Sequence, residues 1–198
     1  LLMRRVVHPQ LARSGGPENY LEELIPKLTA ELPTVEEQFT ELVKTRKASF
    51  ASSQPNVTRG AEIFQETCSP CHQIAEKGGK IAPSLDSIGL RGVDRLLEDV
   101  LDPSRNIDAA FRASLLVLSD GSTETGLVVG EQGDVLLVAN AEGKEVRIPQ
   151  TRIVEKRALP LSPMPGNFKD VIPPERFNDL LGFLLSQRKL PEPAGGGR

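Results

Sequence analysis

Cys68-Ser69-Pro70-Cys71-His72 gathers nearly all the soft, ligating side chains of this 198-residue chain. The chain has only two cysteines and two histidines, and three of those four residues stand in this pentapeptide. Two thiols three positions apart can add across the two vinyl groups of one porphyrin. A histidine directly after the second thiol can then reach the iron. The C-x-x-C-H spacing therefore points to one haem c, bound covalently through Cys68 and Cys71 with His72 as an axial ligand. Three other chemistries use a C-x-x-C pair. Structural zinc needs four ligands, and Cys68, Cys71, His72 and the distant His8 are the only Cys and His residues available. A thioredoxin-like pair should follow a strand within a βαβ unit, but a helical stretch precedes Cys68. A plain disulfide is the third alternative.

Iron that only carries electrons usually has two protein ligands. The chain holds two methionines, Met3 and Met164. Met164 lies between Pro163 and Pro165, and each proline fixes its own φ and restricts the residue before it. A stiff extended loop of this kind can present one side chain at little entropic cost. Met164 is the expected sixth ligand. The alternatives are a methionine that fills a core gap, or His8 as ligand from a basic N-terminal stretch.

Positioning these groups requires several elements. Asn56 is a suitable N-cap for a helix from Val57 to Thr67, which ends at the thiols. Its apolar face would carry Ile63 and Phe64, and Gly60 could admit a close helix crossing. A second helix, Val93 to Leu101, places Leu96, Leu97, Val100 and Leu101 on one face, and Leu97 is expected at the cofactor. Arg91 precedes this helix and could pair with a haem propionate or stay solvated. A closing helix from Pro174 to Lys189 starts with tolerated prolines and keeps Phe177, Leu180, Leu181, Leu184 and Leu185 at helical spacing. Between these helices the period changes. Ser114–Leu118, Thr123–Val129, Val135–Ala139, Glu145–Ile148 and Thr151–Lys156 read as five strands with tight turns, beginning with the hairpin signal Asp120-Gly121. No catalytic constellation lies among them.

The stretch from Gly60 to His72 resembles class I cytochromes c. Ile81-Ala82-Pro83-Ser84-Leu85 is similar to their G-P-x-L segment, with Ala82 where glycine is usual. Met164-Pro165-Gly166-Asn167-Phe168 is similar to their methionine loop. The resemblance implies that the Pro83 carbonyl accepts a hydrogen bond from His72 and that Leu85 and Phe168 sit at the haem. It also implies a close crossing of the first and last helices. Residues 56–190 more closely resemble the Pirellula/Verrucomicrobium-type haem-binding domain family. That match rests on the order of C-x-x-C-H, the proline-leucine loop, a helix ending in Pro103-Ser104, the D-G hairpin, a G-K-E segment, S-x-M-P and a final helix. It implies an extracytoplasmic module associated with a dehydrogenase.

The expected fold is α+β: a mainly helical cytochrome c domain (56–111 and 158–190) with an inserted small antiparallel β-domain (112–157), similar to an SH3-like barrel. Residues 1–55 read as a helical segment, either the end of a preceding domain or a packing arm. Glu18 to Leu32 looks helical despite Pro26, and Thr34 with Glu37 forms a capping-box pattern. This segment could mediate homo-oligomerisation. Residues 191–198, rich in Pro and Gly, read as a disordered tail. A net charge of −3 without a long basic run argues against nucleic acid, and no apolar stretch reaches the length of a membrane span. Covalent haem implies a periplasmic or other extracytoplasmic location, with an export signal upstream of Leu1 and the chain a processed product or fragment. The expected function is single-electron transfer between a dehydrogenase-like donor and a respiratory acceptor, without substrate chemistry of its own. The alternative is a haem c sensor or catalytic haem protein with an open or displaceable sixth site.

Overall fold

The computed structural model describes residues 29–140 and 142–189. The chain divides into two units, residues 1–41 and 42–198. In the first, the capping box is present: Thr34 Oγ1 accepts from the Glu37 amide at 3.1 Å, and the Glu37 carboxylate accepts from the Thr34 amide at 2.7 Å. It opens helix α1, Val35–Ala51. Of the expected helix from Glu18 to Leu32, residues 18–28 lie outside the described residues and residues 30–32 form a turn rather than helix, with Leu32 N donating to Thr29 O. The competing ligand His8 and the tail 191–198 also lie outside the described residues.

The second unit is α+β. Helix α2 (Val57–Thr67) starts where Asn56 Oδ1 accepts from the Arg59 amide. The two-residue strands β1 (Gln73–Ile74) and β2 (Lys77–Gly78) pair after it. A 3-10 turn at Ile88–Arg91 leads into α3, Gly92–Leu101. Five strands follow: β3 (Ser114–Leu118), β4 (Thr123–Gln132), β5 (Val135–Ala139), β6 (Glu145–Pro149) and β7 (Ile153–Ala158). A short α4 (Phe168–Val171) and the closing α5 (Pro174–Ser186) complete it.

The crossing of α2 and α5 is built on a missing side chain. A Cβ on Gly60 would overlap the Asp179 carbonyl and come within 2.7 Å of Phe183 Cβ. One turn later Phe64 packs on Phe183, with ring centroids 5.5 Å apart. A buried carboxylate locks the same crossing. Asp179 accepts from the Asn56 amide at 2.6 Å and from Arg59 Nε at 2.8 Å. The Arg59 hydrogen bond holds the Asp179 carboxyl below its ordinary range, against the opposing effect of burial. Along α1, Phe39, Leu42, Val43 and Phe50 are half-buried, while Arg46 is the buried residue of the helix. Its guanidinium lies 5.1 Å from the Phe177 ring centroid, a cation–π contact that also covers the arginine stem.

The five strands are antiparallel in the order β6-β5-β4-β3-β7. Leu116, Leu118, Leu136, Val138 and Ile148 form their own buried cluster. β4 runs three residues beyond its expected end, with an irregularity between Val128 and Gly130 that lets it bend between its two neighbours. β7 begins at Ile153 rather than Thr151, because Gln150–Arg152 form a 3-10 turn. α5 stops at Ser186 instead of Lys189. The backbone beyond it pairs with the α3 approach instead, through Gly89 N to Gln187 O at 2.9 Å and Lys189 N to Asp86 O at 3.0 Å.

Candidate haem-binding site

The C-terminal end of α2 makes the site. The amides of Cys68 and Ser69 both donate to the Phe64 carbonyl, and the Cys71 and His72 amides donate to the Cys68 carbonyl. This extra turn brings Cys68, Cys71 and His72 to the wall of one cavity of about 660 Å3, within the usual size of a cofactor pocket. The following loop is laced onto the motif by Gly79 N to Ser69 O, Ala82 N to Cys71 O and Leu85 N to Gln73 O. Ala82 serves in place of glycine because its role is a main-chain donor and no left-handed φ is required there.

That lacing sets the Pro83 carbonyl 2.9 Å from His72 Nδ1. A carbonyl only accepts, so Nδ1 donates, and the neutral ring keeps its lone pair on Nε2 for a metal. Burial pushes the imidazole pKa down, with the Pro83 hydrogen bond opposing. The neutral ligand form is therefore the one this environment favours.

The thiols are free. Burial, with a smaller push from Cys71, raises Cys68 to about 12, and burial also raises Cys71. They lie at the C-terminal end of α2, the negative end of its dipole, and no βαβ unit surrounds them. A thioredoxin-like pair depends on the opposite environment, which lowers a thiol pKa. Zinc finds no ligand set either: among the described residues no three Cys, His, Asp or Glu side chains cluster.

Met164 and Phe168 line the same cavity, as do Pro83, Leu85 and Arg91. Arg91 pairs with Asp99 at 3.2 Å, and Arg95 reaches the other Asp99 oxygen at 3.1 Å. Burial nevertheless raises the Asp99 carboxyl above its ordinary value. Leu97 is placed differently. It is fully buried, but Leu96 and Val100 form the cavity wall from α3.

The sheet also reaches the cavity, through residues that belong to none of the motifs. Leu127 on β4 and Ala139 on β5 are cross-strand partners, and both line it together with Asn140. A signal was present: Val135-Leu136-Leu137-Val138-Ala139 is a continuous apolar run, which marks a strand buried on both faces. At the tip of the β5–β6 hairpin Gly143 adopts φ +73°, and a Cβ there would lie 3.2 Å from Cys71 Sγ and from the Pro70 carbonyl.

Residues 57–113 match the family model for cytochrome c. Comparison with curated proteins gave no match. The match supports a c-type cytochrome domain, with haem binding and electron transfer as its function and haem c as its cofactor. The residues present fit that group: two protonated thiols, an oriented neutral imidazole and apolar walls meet in one cavity. No helix among the described residues is long and apolar enough to cross a membrane.

Proposed function

We propose that this chain is a mono-haem electron-transfer module in which Cys68 and Cys71 hold one haem c and His72 and Met164 are the axial ligands. The observation that carries this reading is the meeting of all four side chains on one cavity, although Met164 is 92 residues beyond His72 by numbering. When bound, the haem supplies a one-electron carrier, and a His/Met ligand pair raises its potential. The chain's own part is to orient and exclude. Pro83 holds the His72 ring, Leu85, Leu96 and Phe168 keep water from it, and Arg91 and Arg95 offer cationic partners to propionates.

The sheet is read as a β-domain inserted between the haem-binding helices and the methionine loop. Support comes from the backbone pairing at its base, where Ala113 N donates to Leu161 O and Leu159 N to Ala113 O. A four-strand meander, a 3-10 turn and the return of β7 beside β3 favour a small SH3-like barrel. The donor is a dehydrogenase-like domain or protein, the acceptor respiratory, and the location periplasmic. The donor follows from the resemblance to the Pirellula/Verrucomicrobium-type family, and the periplasmic or otherwise extracytoplasmic location from covalent haem attachment as well.

A pyridine haemochrome assay on denatured protein tests the covalent haem, and a haem-free polypeptide after denaturation would exclude it. A Met–iron charge-transfer band in the oxidised protein, without carbon monoxide uptake by the reduced form, is expected for electron transfer. Rapid carbon monoxide uptake would instead assign a sensor or catalytic haem with an open sixth site.

A further inference from the structure

The Met164 loop has few amides with which to hold itself in place. Between Pro160 and Pro165 only Leu161, Ser162 and Met164 carry an N–H. Two of those three are taken by serine hydroxyls. Ser162 N donates to Ser104 Oγ at 3.0 Å, and Met164 N donates to Ser162 Oγ at 3.1 Å. Ser104 is itself held at a tight turn. Pro103 presets its backbone, the Arg105 amide closes the turn on the Asp102 carbonyl at 3.1 Å, and the Arg105 side chain pairs with Asp102 at 3.1 Å. That turn directly follows α3, whose Leu96 and Val100 line the cavity together with Pro103. The two serines therefore tie the methionine loop to the turn after α3, whose Leu96 and Val100 line the same cavity, across 58 residues of intervening chain.

We propose that Ser104 and Ser162 are positioning residues for the sixth coordination position: together they hold Met164 against the cavity, and loss of either hydroxyl opens the site to an external ligand. The proposal rests on the His/Met reading above. Each hydroxyl accepts one backbone N–H, so each alanine substitution should raise the open fraction about fivefold, the effect of one neutral hydrogen bond.

The test is carbon monoxide uptake by the reduced holoprotein and the Met–iron charge-transfer band of the oxidised one. Ser104→Ala and Ser162→Ala should each bind carbon monoxide more readily and weaken the band, while Ser104→Thr and Ser162→Thr, which keep the hydroxyl, behave as wild type. Met164→Ala should open the site fully. Alanine variants with wild-type uptake and band, beside an open Met164→Ala, overturn the positioning role alone. A Met164→Ala protein indistinguishable from wild type overturns the axial assignment, and the serine proposal with it. Lower urea midpoints in the alanine variants without any change in uptake would mark the serines as structural only and also overturn it. If an alanine variant fails to fold, Ser104→Gly or Ser162→Gly removes the same acceptor and carries the comparison.

Discussion

The helices around the cavity and the five-stranded sheet bury apolar side chains by different means. The sheet relies on alternation. Leu116 and Leu118 of β3 point to one face and meet Leu136, Val138 and Ile148 there, with no buried charge among them. The helical region relies on close backbone approach at Gly60 and on polar groups taken out of water, among them Asp179, Asn178 and Arg46. Truncating a side chain in the sheet core leaves a cavity whose cost is confined to that core. A buried carboxylate at a helix crossing is a joint of another kind, because its removal takes one charged acceptor from both the Asn56 amide and Arg59. The same crossing fixes the direction of α2 and hence where Cys68 and His72 emerge. Stability and site geometry are therefore coupled in the helical region and largely separable in the sheet.

Deletion of residues 112–157 with the ends joined gives this separation its harshest test. In the intact chain the pairing of Ala113 with Leu159 and Leu161 brings the two ends of the deletion close together, so a short join can span them. Covalent haem should survive, judged by haemochrome on denatured protein, while haem exposure to solvent rises because Leu127 and Ala139 are gone. Loss of all covalent haem would refute the inserted-domain reading. Leu116→Ala is the gentler form. It should cost about 2–5 kcal/mol in the urea unfolding of the sheet and leave the haem spectrum unchanged.

Asp179→Ala should behave in the opposite way. Stability should fall, because the Asn56 amide and the exposed Arg59 side chain lose the charged acceptor they share, and haem yield should fall with it. Equal loss of stability with an unaltered haem yield would show that the crossing does not aim the motif.

Acid extends the comparison to both regions. The Asp179 carboxyl is lowered in the folded state, so its contribution is complete above the ordinary carboxylate range near about 4. It is lost as pH falls through the folded value. In the sheet, Asp120 is lowered to about 2, mainly by the Ser122 hydroxyl and amide, with Arg152 adding to it. Its contribution likewise fades between about pH 4 and 2, but from an exposed site. Urea midpoints at pH 6 and pH 3 should therefore converge in Asp179→Asn more than in Asp120→Asn.

The smallest expected effect is Gly143→Ala. The left-handed backbone costs a side chain about 1 kcal/mol, and the new methyl would press on Cys71 and Pro70. A modest drop in midpoint with a measurable rise in haem exposure is expected. No change in exposure would mean that the hairpin tip does not cover the thioether side.

Much of this was legible in the chain itself. The bounds of α2, β3 and β5 match the expected ones, because a cap, a turn glycine or a change of hydrophobic period marks each end. Cys68, Cys71, His72, Pro83, Leu85, Arg91, Met164 and Phe168 all line one cavity; spacing pointed to the first three, proline stiffness to Met164, and the resemblance to class I cytochromes c to Pro83, Leu85 and Phe168. What was not legible depends on partners distant in sequence. Leu97 and Leu96 are neighbours on one apolar face, and only the rotation of α3 against its surroundings selects Leu96 for the cavity. Asp179 reads as a surface acid until α2 brings Asn56 and Arg59 to it. Ser104 and Ser162 are ordinary loop serines until the chain returns beside itself. Sequence alone determined which chemistry is available, because thiol spacing and proline stiffness are local properties. How that chemistry is held emerges only on folding, because the hydrogen bonds that anchor the Met164 loop and lock the helix crossing join residues 58 and 123 positions apart.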